Sequence, residues 1–199
     1  MQRDTIFAPS TAPGRAGIAV LRVSGPAAKT AVKKLSGGAP PSPKHAVLKA
    51  FRDARGEIID RGLLLWFEGP NSFSGEDIAE FHVHGGRAVV DAMLDALSSV
   101  DGLRPAEAGE FTRRAVENGK LDLTQAEALV DLIDAQTDAQ RKQALGQYGG
   151  ALTALYEGWS ARLTRAVGLT EAGLYGPDEE VPDDAVNTVR EIIVSLAAE

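Results

Sequence analysis

Apolar and polar positions in the first 118 residues form short runs that are separated by loops rich in glycine and proline. Two longer segments, residues 27–35 and 88–97, have one apolar face and are typical of helices. This pattern predicts an α+β domain over residues 1–118, with helices interleaved in a mixed sheet of about five strands. The clearest strand candidates are residues 17–23, 45–51, 58–67 and 78–84.

After residue 118 the apolar positions recur at intervals of three and four, which indicates helices. Gly149-Gly150 separates the first two helices, which we expect to pack as an antiparallel hairpin. The acidic segment 177–184 precedes the third helix, and Asp183 or Asp184 is its predicted N-cap. We therefore predict an all-α domain over residues 119–199, the first half of a bundle in a longer protein. Its predicted helices are residues 121–147, 152–174 and 185–198.

Composition narrows the class of protein. The chain has no cysteine, which excludes disulfides, cysteine-ligated zinc and a thiol nucleophile. Its net charge of −7 argues against a general nucleic-acid binder, and the charge is uneven along the chain. Residues 1–118 carry 15 Lys/Arg against 14 Asp/Glu, and residues 119–199 carry 6 against 14. No apolar window is long enough to span a membrane and the N-terminus lacks a secretory signal, so we expect a cytoplasmic protein.

The predicted strand at residues 78–84 carries the first candidate site. Strand alternation places Glu80, His82 and His84 on one face. Two histidines on a strand face can chelate a metal, but the chain has only 3 histidines, and we predict no metal site. The alternatives are an ordinary strand face and an organic ligand bound by Glu80. A carboxylate accepts two parallel N–H donors well, as a guanidinium or an aminopyrimidine edge offers them.

Arg22 and Lys120 are the candidate cations. Arg22 shares its strand face with Ile18 and Val20, where a charge requires a partner, either Glu80 or a ligand carboxylate. Lys120 lies at the junction of the two predicted domains, where it could face a ligand. The Gly119-Lys120 pair is not part of a phosphate-binding loop, because the chain contains no G-x-x-x-x-G-K-[ST].

Two further segments have simpler interpretations. Residues 71–81 have the Asn, Ser and Gly content of an ordinary turn before a strand, and a functional loop is the open alternative. Glu110, Arg113, Arg114 and Glu117 have the spacing of charge pairs on the surface of a helix.

Four segments together resemble one known family. They are TIFAPSTAPGRAGIAVLRVSGP, FEGPNSFSGEDIAEFHVHGG, AGEFTRRAVENGKLDLTQAEALVDLIDA and PDEE. In this order and spacing they are similar to the N-terminal part of the MnmE (TrmE) tRNA-modification GTPases, over essentially the whole chain. The resemblance implies a folate-binding domain similar to that of the glycine-cleavage T-protein, followed by a helical bundle into which a GTPase domain is inserted.

The resemblance also implies site residues and partners. The family's contacts to a reduced folate correspond to Arg22, Glu80 and Lys120. Glu80 would take the aminopyrimidine edge of the pterin, while Arg22 and Lys120 would suit the carbonyls and the anionic glutamate tail. The ligand would be 5-formyltetrahydrofolate or 5,10-methylenetetrahydrofolate, near the interface of a homodimer. The whole protein would act with the flavoprotein MnmG on the wobble uridine of tRNA, building a 5-carboxymethylaminomethyl-type group.

The family's GTPase domain, with its GTP, potassium and magnesium sites, is not represented in these residues, so we expect no GTP hydrolysis by this chain alone and assign no catalytic residue. His82 stands where the family often has Gln or Cys, and no role is carried over to it. Three alternatives remain open at this point. They are a free-standing aminomethyltransferase-like enzyme that uses folate, a metal hydrolase that uses His82 and His84, and a scaffold that only dimerises.

Overall fold

The computed structural model describes residues 4–175 and 184–199. The chain divides into two compact units, Met1–Leu121 and Asp122–Glu199. The first unit contains a sheet and three helices within its described residues, and the second contains helices. The α+β class with a following helical region is therefore as predicted. The acidic segment predicted at residues 177–184 lies, except for Asp184, outside the described residues.

The described part of the first unit contains six strands, where the sequence predicted about five. Their order across the sheet is β3-β4-β5-β2-β1-β6, and every neighbouring pair is antiparallel except β1 and β6. The short edge strand β6 is defined by its parallel pairing with β1. The strands are β1 (Thr5–Pro9), β2 (Ala16–Ser24), β3 (Val47–Arg52), β4 (Ile58–Phe67), β5 (Ile78–Gly85) and β6 (Leu103–Pro105).

Helices α1 (Ala28–Ser36) and α2 (Arg87–Ser98) cover one face of the sheet. Alternate strand residues enter this core, and Phe51 and Phe81 meet edge to face with ring centroids 5.2 Å apart. The core buries many large apolar side chains, and their burial stabilises the sheet that carries the site. Its largest fully buried members include Trp66, Phe7, Leu21, Leu64, Met93 and Leu97.

The other face of the sheet is covered at one end and open at the other. Ile6, Ser24 and Ile78 are fully or almost fully buried there, and the Ser24 hydroxyl lies 2.7 Å from that of Ser74 in the loop before β5. Helix α3 (Glu110–Glu117) follows β6 and is bonded to the same loop through Arg114 and Glu76. The site lies beside this covered end.

The second unit contains α4 (Leu123–Asp134), α5 (Asp138–Tyr148), α6 (Ala151–Tyr175) and α7 (Ala185–Ala198). The prediction of a single helix over residues 121–147 was wrong, because the helix is interrupted at residues 135–137. Asp122 and Thr137 each accept a hydrogen bond from the backbone N–H three residues later, and each forms a complete capping box. Asp184 occupies the predicted N-cap position of α7, although its side chain makes no capping hydrogen bond.

Candidate functional site

The pairing of β2 with β5 places Arg22 directly opposite Glu80. Paired residues of neighbouring strands project from the same face, here the face without α1 and α2. The Arg22 guanidinium donates from Nε and Nη2 to a single oxygen, Glu80 Oε1, at 3.0 and 2.7 Å. The partner of Arg22 that the sequence left open is therefore Glu80.

Glu80 retains a second oxygen that is less firmly held. The His82 Nε2 lies 3.3 Å from Glu80 Oε2, at the long end of hydrogen bonding. The Glu80 side chain is 14% exposed and that of Arg22 is 25% exposed, so solvent reaches both. A carboxylate can accept about four hydrogen bonds, so Glu80 has capacity for a ligand.

Two aromatic rings face the same guanidinium. The Arg22 Cζ lies 5.3 Å from the ring centroid of Phe73 and 5.7 Å from that of Phe111. Both distances are within the range of cation–π contacts, and both rings are only partly buried. Phe73 comes from the loop before β5 and Phe111 from α3, so two separate elements form the aromatic wall. Nothing in the sequence pattern distinguished these phenylalanines from core residues.

The loop at residues 69–77 is fixed in place on both sides. Ser24 donates to Glu76 Oε2 at 2.7 Å, and the Asn118 side-chain amide donates to the Ser74 carbonyl at 2.6 Å. Ser72 is buried and donates through its hydroxyl to the Glu76 carbonyl. The loop is therefore bonded to β2 and to the end of α3, which fixes the position of Phe73. The sequence pattern left open whether this segment is an ordinary turn or a functional loop, and it did not indicate the role of Phe73.

Lys120 lies beside the same loop. A Cβ added at Gly75, whose φ is +77°, would be 3.2 Å from Lys120 Cγ and 3.4 Å from Lys120 Cδ. The lysine stem therefore runs past Gly75, two residues from Phe73. Lys120 is exposed, and no ion pair to it is present in the part of the chain that the structure describes. The structure thus bonds Arg22 to Glu80 and brings Lys120 to the loop that flanks them, without a direct bond to either.

A buried ionic network supports the wall. Arg114 is 4% exposed and donates to Glu76, to Glu110 and to the Asp4 carbonyl, while Glu110 is only 2% exposed. Arg104 donates to both carboxylate oxygens of Glu110 at 2.6 and 2.9 Å. For Glu110 and Arg114 the predicted helix-surface location was wrong. The helical spacing was right, but it is the same for an exposed pair and for a buried pair.

The network lowers the pKa of its central carboxyl group, which is that of Glu110. Hydrogen bonds from Arg104 lower the pKa of Glu110 to about 2, against the opposing effect of burial, with further lowering by the Glu107 backbone N–H and by Arg114. Glu110 is therefore a fixed negative charge over the physiological pH range.

His84 belongs to a different cluster. Its Nδ1 and its backbone N–H lie 2.9 and 2.8 Å from the carboxylate oxygens of Asp60 on β4. Burial tends to raise the pKa of Asp60, but hydrogen bonds from the His84 backbone and ring lower it overall. Within residues 4–175 and 184–199, no group of three or more His, Cys, Asp or Glu side chains has the arrangement of a metal site.

Comparison with known protein families finds a match for each of the two units of the chain. Residues 5–120 match the family described as GTP-binding protein TrmE N-terminus, and residues 123–199 match the MnmE helical domain. The chain belongs to the MnmE family.

Individual relatives of this MnmE-family chain agree. It is 56% identical over 196 residues to the tRNA modification GTPase MnmE of Phenylobacterium zucineum, covering 98% of this chain and 44% of that protein. It is 52% identical to the Granulibacter bethesdensis protein of the same name, covering 100% of this chain and 45% of the relative. A Danio rerio protein named 5-taurinomethyluridine-[tRNA] synthase subunit GTPB3, mitochondrial, is 50% identical over 97% of this chain and 39% of its own length. The chain therefore spans less than half of these relatives.

Among the described residues, no helix is both long enough and apolar enough to cross a membrane.

Proposed function

We propose that the chain binds a reduced one-carbon folate, 5-formyltetrahydrofolate or 5,10-methylenetetrahydrofolate, through Arg22, Glu80 and Lys120. The observation that supports this proposal most strongly is the partly exposed Arg22–Glu80 pair beside two aromatic rings. A pterin is planar and carries an N–H edge, so it requires both a carboxylate and a flat apolar wall.

Lys120 supplies the charge for the other end of such a ligand. Its stem passes the loop that carries Phe73, and its ammonium group has no partner among the described side chains. A flexible lysine suits an anionic glutamate tail, whose position changes more than that of the ring. The site combines a carboxylate, an aromatic wall and a cation, which are groups that can bind a ligand. We assign it no catalytic residue.

The wider role follows from the family. We propose that the chain forms the folate-binding and dimerisation portion of a cytoplasmic tRNA-modification GTPase that acts with the flavoprotein MnmG. The product would be a 5-carboxymethylaminomethyl-type group on the wobble uridine. GTP, potassium and magnesium would bind to a GTPase domain that these residues do not include, since no P-loop is present in the sequence.

The test is calorimetric titration of the purified chain with 5-formyltetrahydrofolate. We expect binding of about one ligand per protomer and a loss of at least about tenfold in affinity for Glu80→Gln, because a neutral amide replaces a charged acceptor. Glu57→Gln, in the exposed β3–β4 hairpin, is the matched control and should bind like the wild type. Absence of binding by the folded wild-type chain, or equal binding by both variants, would contradict the proposal.

A further inference from the structure

The geometry of Arg22 indicates how the ring of a ligand would be held. The guanidinium is a planar group that presents adjacent N–H donors to Glu80 and lies over two aromatic rings. The 2-amino-4-oxopyrimidine edge of a pterin has the same N–C–N arrangement, with two neighbouring N–H donors in a plane. The protein therefore already contains, at Glu80, a chemical analogue of that edge.

The two groups would compete for the same acceptor. Both N–H bonds from Arg22 end on Glu80 Oε1, and Oε2 lies 3.3 Å from His82 Nε2. A ligand edge that spans both carboxylate oxygens needs Oε1, so Arg22 must give up at least one of its bonds. The arginine can do so because it is a long side chain, 25% exposed, at the open side of the sheet.

The aromatic groups, by contrast, are held in place. The Phe73 loop is bonded to β2 through Ser24 and to α3 through Arg114, and Phe111 lies within α3 itself. The wall therefore persists whether or not Arg22 stays against it.

We propose that Phe73 and Phe111 form the stacking wall for the pterin ring, and that the Arg22 guanidinium occupies the ring's place until the ligand displaces it. This inference rests on the proposed folate function. It adds two ligand-binding residues and gives Arg22 two successive roles. Arg22 bonds to Glu80 in the free protein, and it contacts the carbonyls or the tail of the ligand in the complex.

The test uses two probes, 5-formyltetrahydrofolate and 6-methyltetrahydropterin, which has the ring without the tail. Phe73→Leu and Phe111→Leu should each weaken the binding of both probes by about tenfold, because leucine offers no π-face for stacking. Phe51→Leu is the matched control, since it removes a ring from the helix-covered core and should leave both affinities unchanged. All titrations are run at the same pH, pH 8.

The variant Arg22→Ala distinguishes displacement of the Arg22 guanidinium by the ring from direct contact between Arg22 and the ring. We expect it to bind 6-methyltetrahydropterin about tenfold more tightly than the wild type, because the competing guanidinium is gone, and to bind 5-formyltetrahydrofolate no more tightly. Equal losses for both probes in Arg22→Ala, or no binding of the tail-less probe, would overturn the displacement. Unchanged affinities in both phenylalanine variants would overturn the wall while leaving the folate proposal intact. Failure of the wild type to bind 5-formyltetrahydrofolate would remove both.

Discussion

Glu110 shows how a single residue links the stability of the first unit to its site. Its carboxylate is buried and is held by Arg104 and Arg114, and Arg114 in turn holds Glu76 in the loop that carries Phe73. Removing one partner from a buried network leaves the others without compensation, which costs more than the pair itself contributes. The network is therefore a positioning device as well as a structural one.

This arrangement predicts a specific acid response. The pKa of Glu110 is about 2 in the folded protein, against an ordinary value of 4.5. Because the folded pKa is the lower one, the stabilisation is fully present above pH 4.5 and is lost as pH falls towards 2. Glu110→Gln should lower the free energy of unfolding at pH 7 by about 3 kcal/mol. The difference from wild type should shrink as pH falls through that range, as measured by urea unfolding at several pH values.

The control for Glu110 is Glu107→Gln. Glu107 is exposed, and its side chain pairs with Arg113 at 3.3 Å. Surface pairs of this kind contribute about 0–1 kcal/mol, so its acid profile should match the wild type. Parallel pH profiles for Glu110→Gln and the wild type would contradict the assignment of this acid dependence to Glu110.

Sequence reasoning reached the residues of the site unevenly. Strand alternation put Arg22 on an apolar face and Glu80 on one face with His82 and His84, and the observed register joins Arg22 to Glu80. Phe73, Phe111, Glu76 and Arg114 were missed because their roles depend on contacts between distant segments. Lys120 was identified from its place at the junction of the two predicted domains and from the family resemblance, and its ligand role stays a prediction.

At the scale of elements, the differences between the sequence predictions and the structure have local and non-local causes. Strand β6 has three residues and exists through its pairing with β1, which no local pattern signals. The break between α4 and α5 does have a local signal. Thr137 and Gln140 form a capping box, but the apolar spacing continues across it and suggested one helix. A capping box in the sequence should therefore be taken as the start of a new helix, even where the apolar spacing continues across it.

The helices of the second unit differ from the sheet in how little they bury. Four residues are the only buried hydrophobic ones in the described part of this unit, and all four are alanines: Ala128, Ala144, Ala166 and Ala185. Larger side chains such as Leu123, Ile133 and Val186 are mostly exposed. Small buried side chains contribute little transfer free energy, whereas the first unit buries Trp66, Phe7 and Phe51.

We therefore expect native-state hydrogen exchange to show two levels of protection. Amides of α4 to α7 should exchange at least about tenfold faster than those of β2 and β5, because local opening there exposes few buried contacts. Amides of α1 and α2, which cover the sheet core, serve as the internal control for helical structure. Equal protection in α6 and β5 would contradict this expectation.

At the scale of the whole molecule, the open sheet face carries an apolar row. The register aligns Leu48, Leu63, His82 and Val20 across four strands, on the face opposite the helix-covered core. Leu48, on the edge strand β3, is 69% exposed, and Leu63, on the neighbouring strand β4, is 41% exposed. We propose this row as the candidate surface for the homodimer. Glu80 lies two residues from His82 on β5, so the proposed folate site would lie beside this candidate surface.

Sedimentation equilibrium tests whether this row forms the proposed homodimer. We expect the wild-type chain to have twice the mass of one protomer at micromolar concentration, and Leu48→Asp to weaken association by at least about tenfold, since a buried leucine contributes about 1.5–3 kcal/mol. Leu123→Asp is the matched control, because Leu123 is 72% exposed but belongs to the helical unit. A wild-type monomer would refute the dimer proposal. A dimer that is unaffected by Leu48→Asp but weakened by Leu123→Asp would move the interface to the helices and separate it from Glu80.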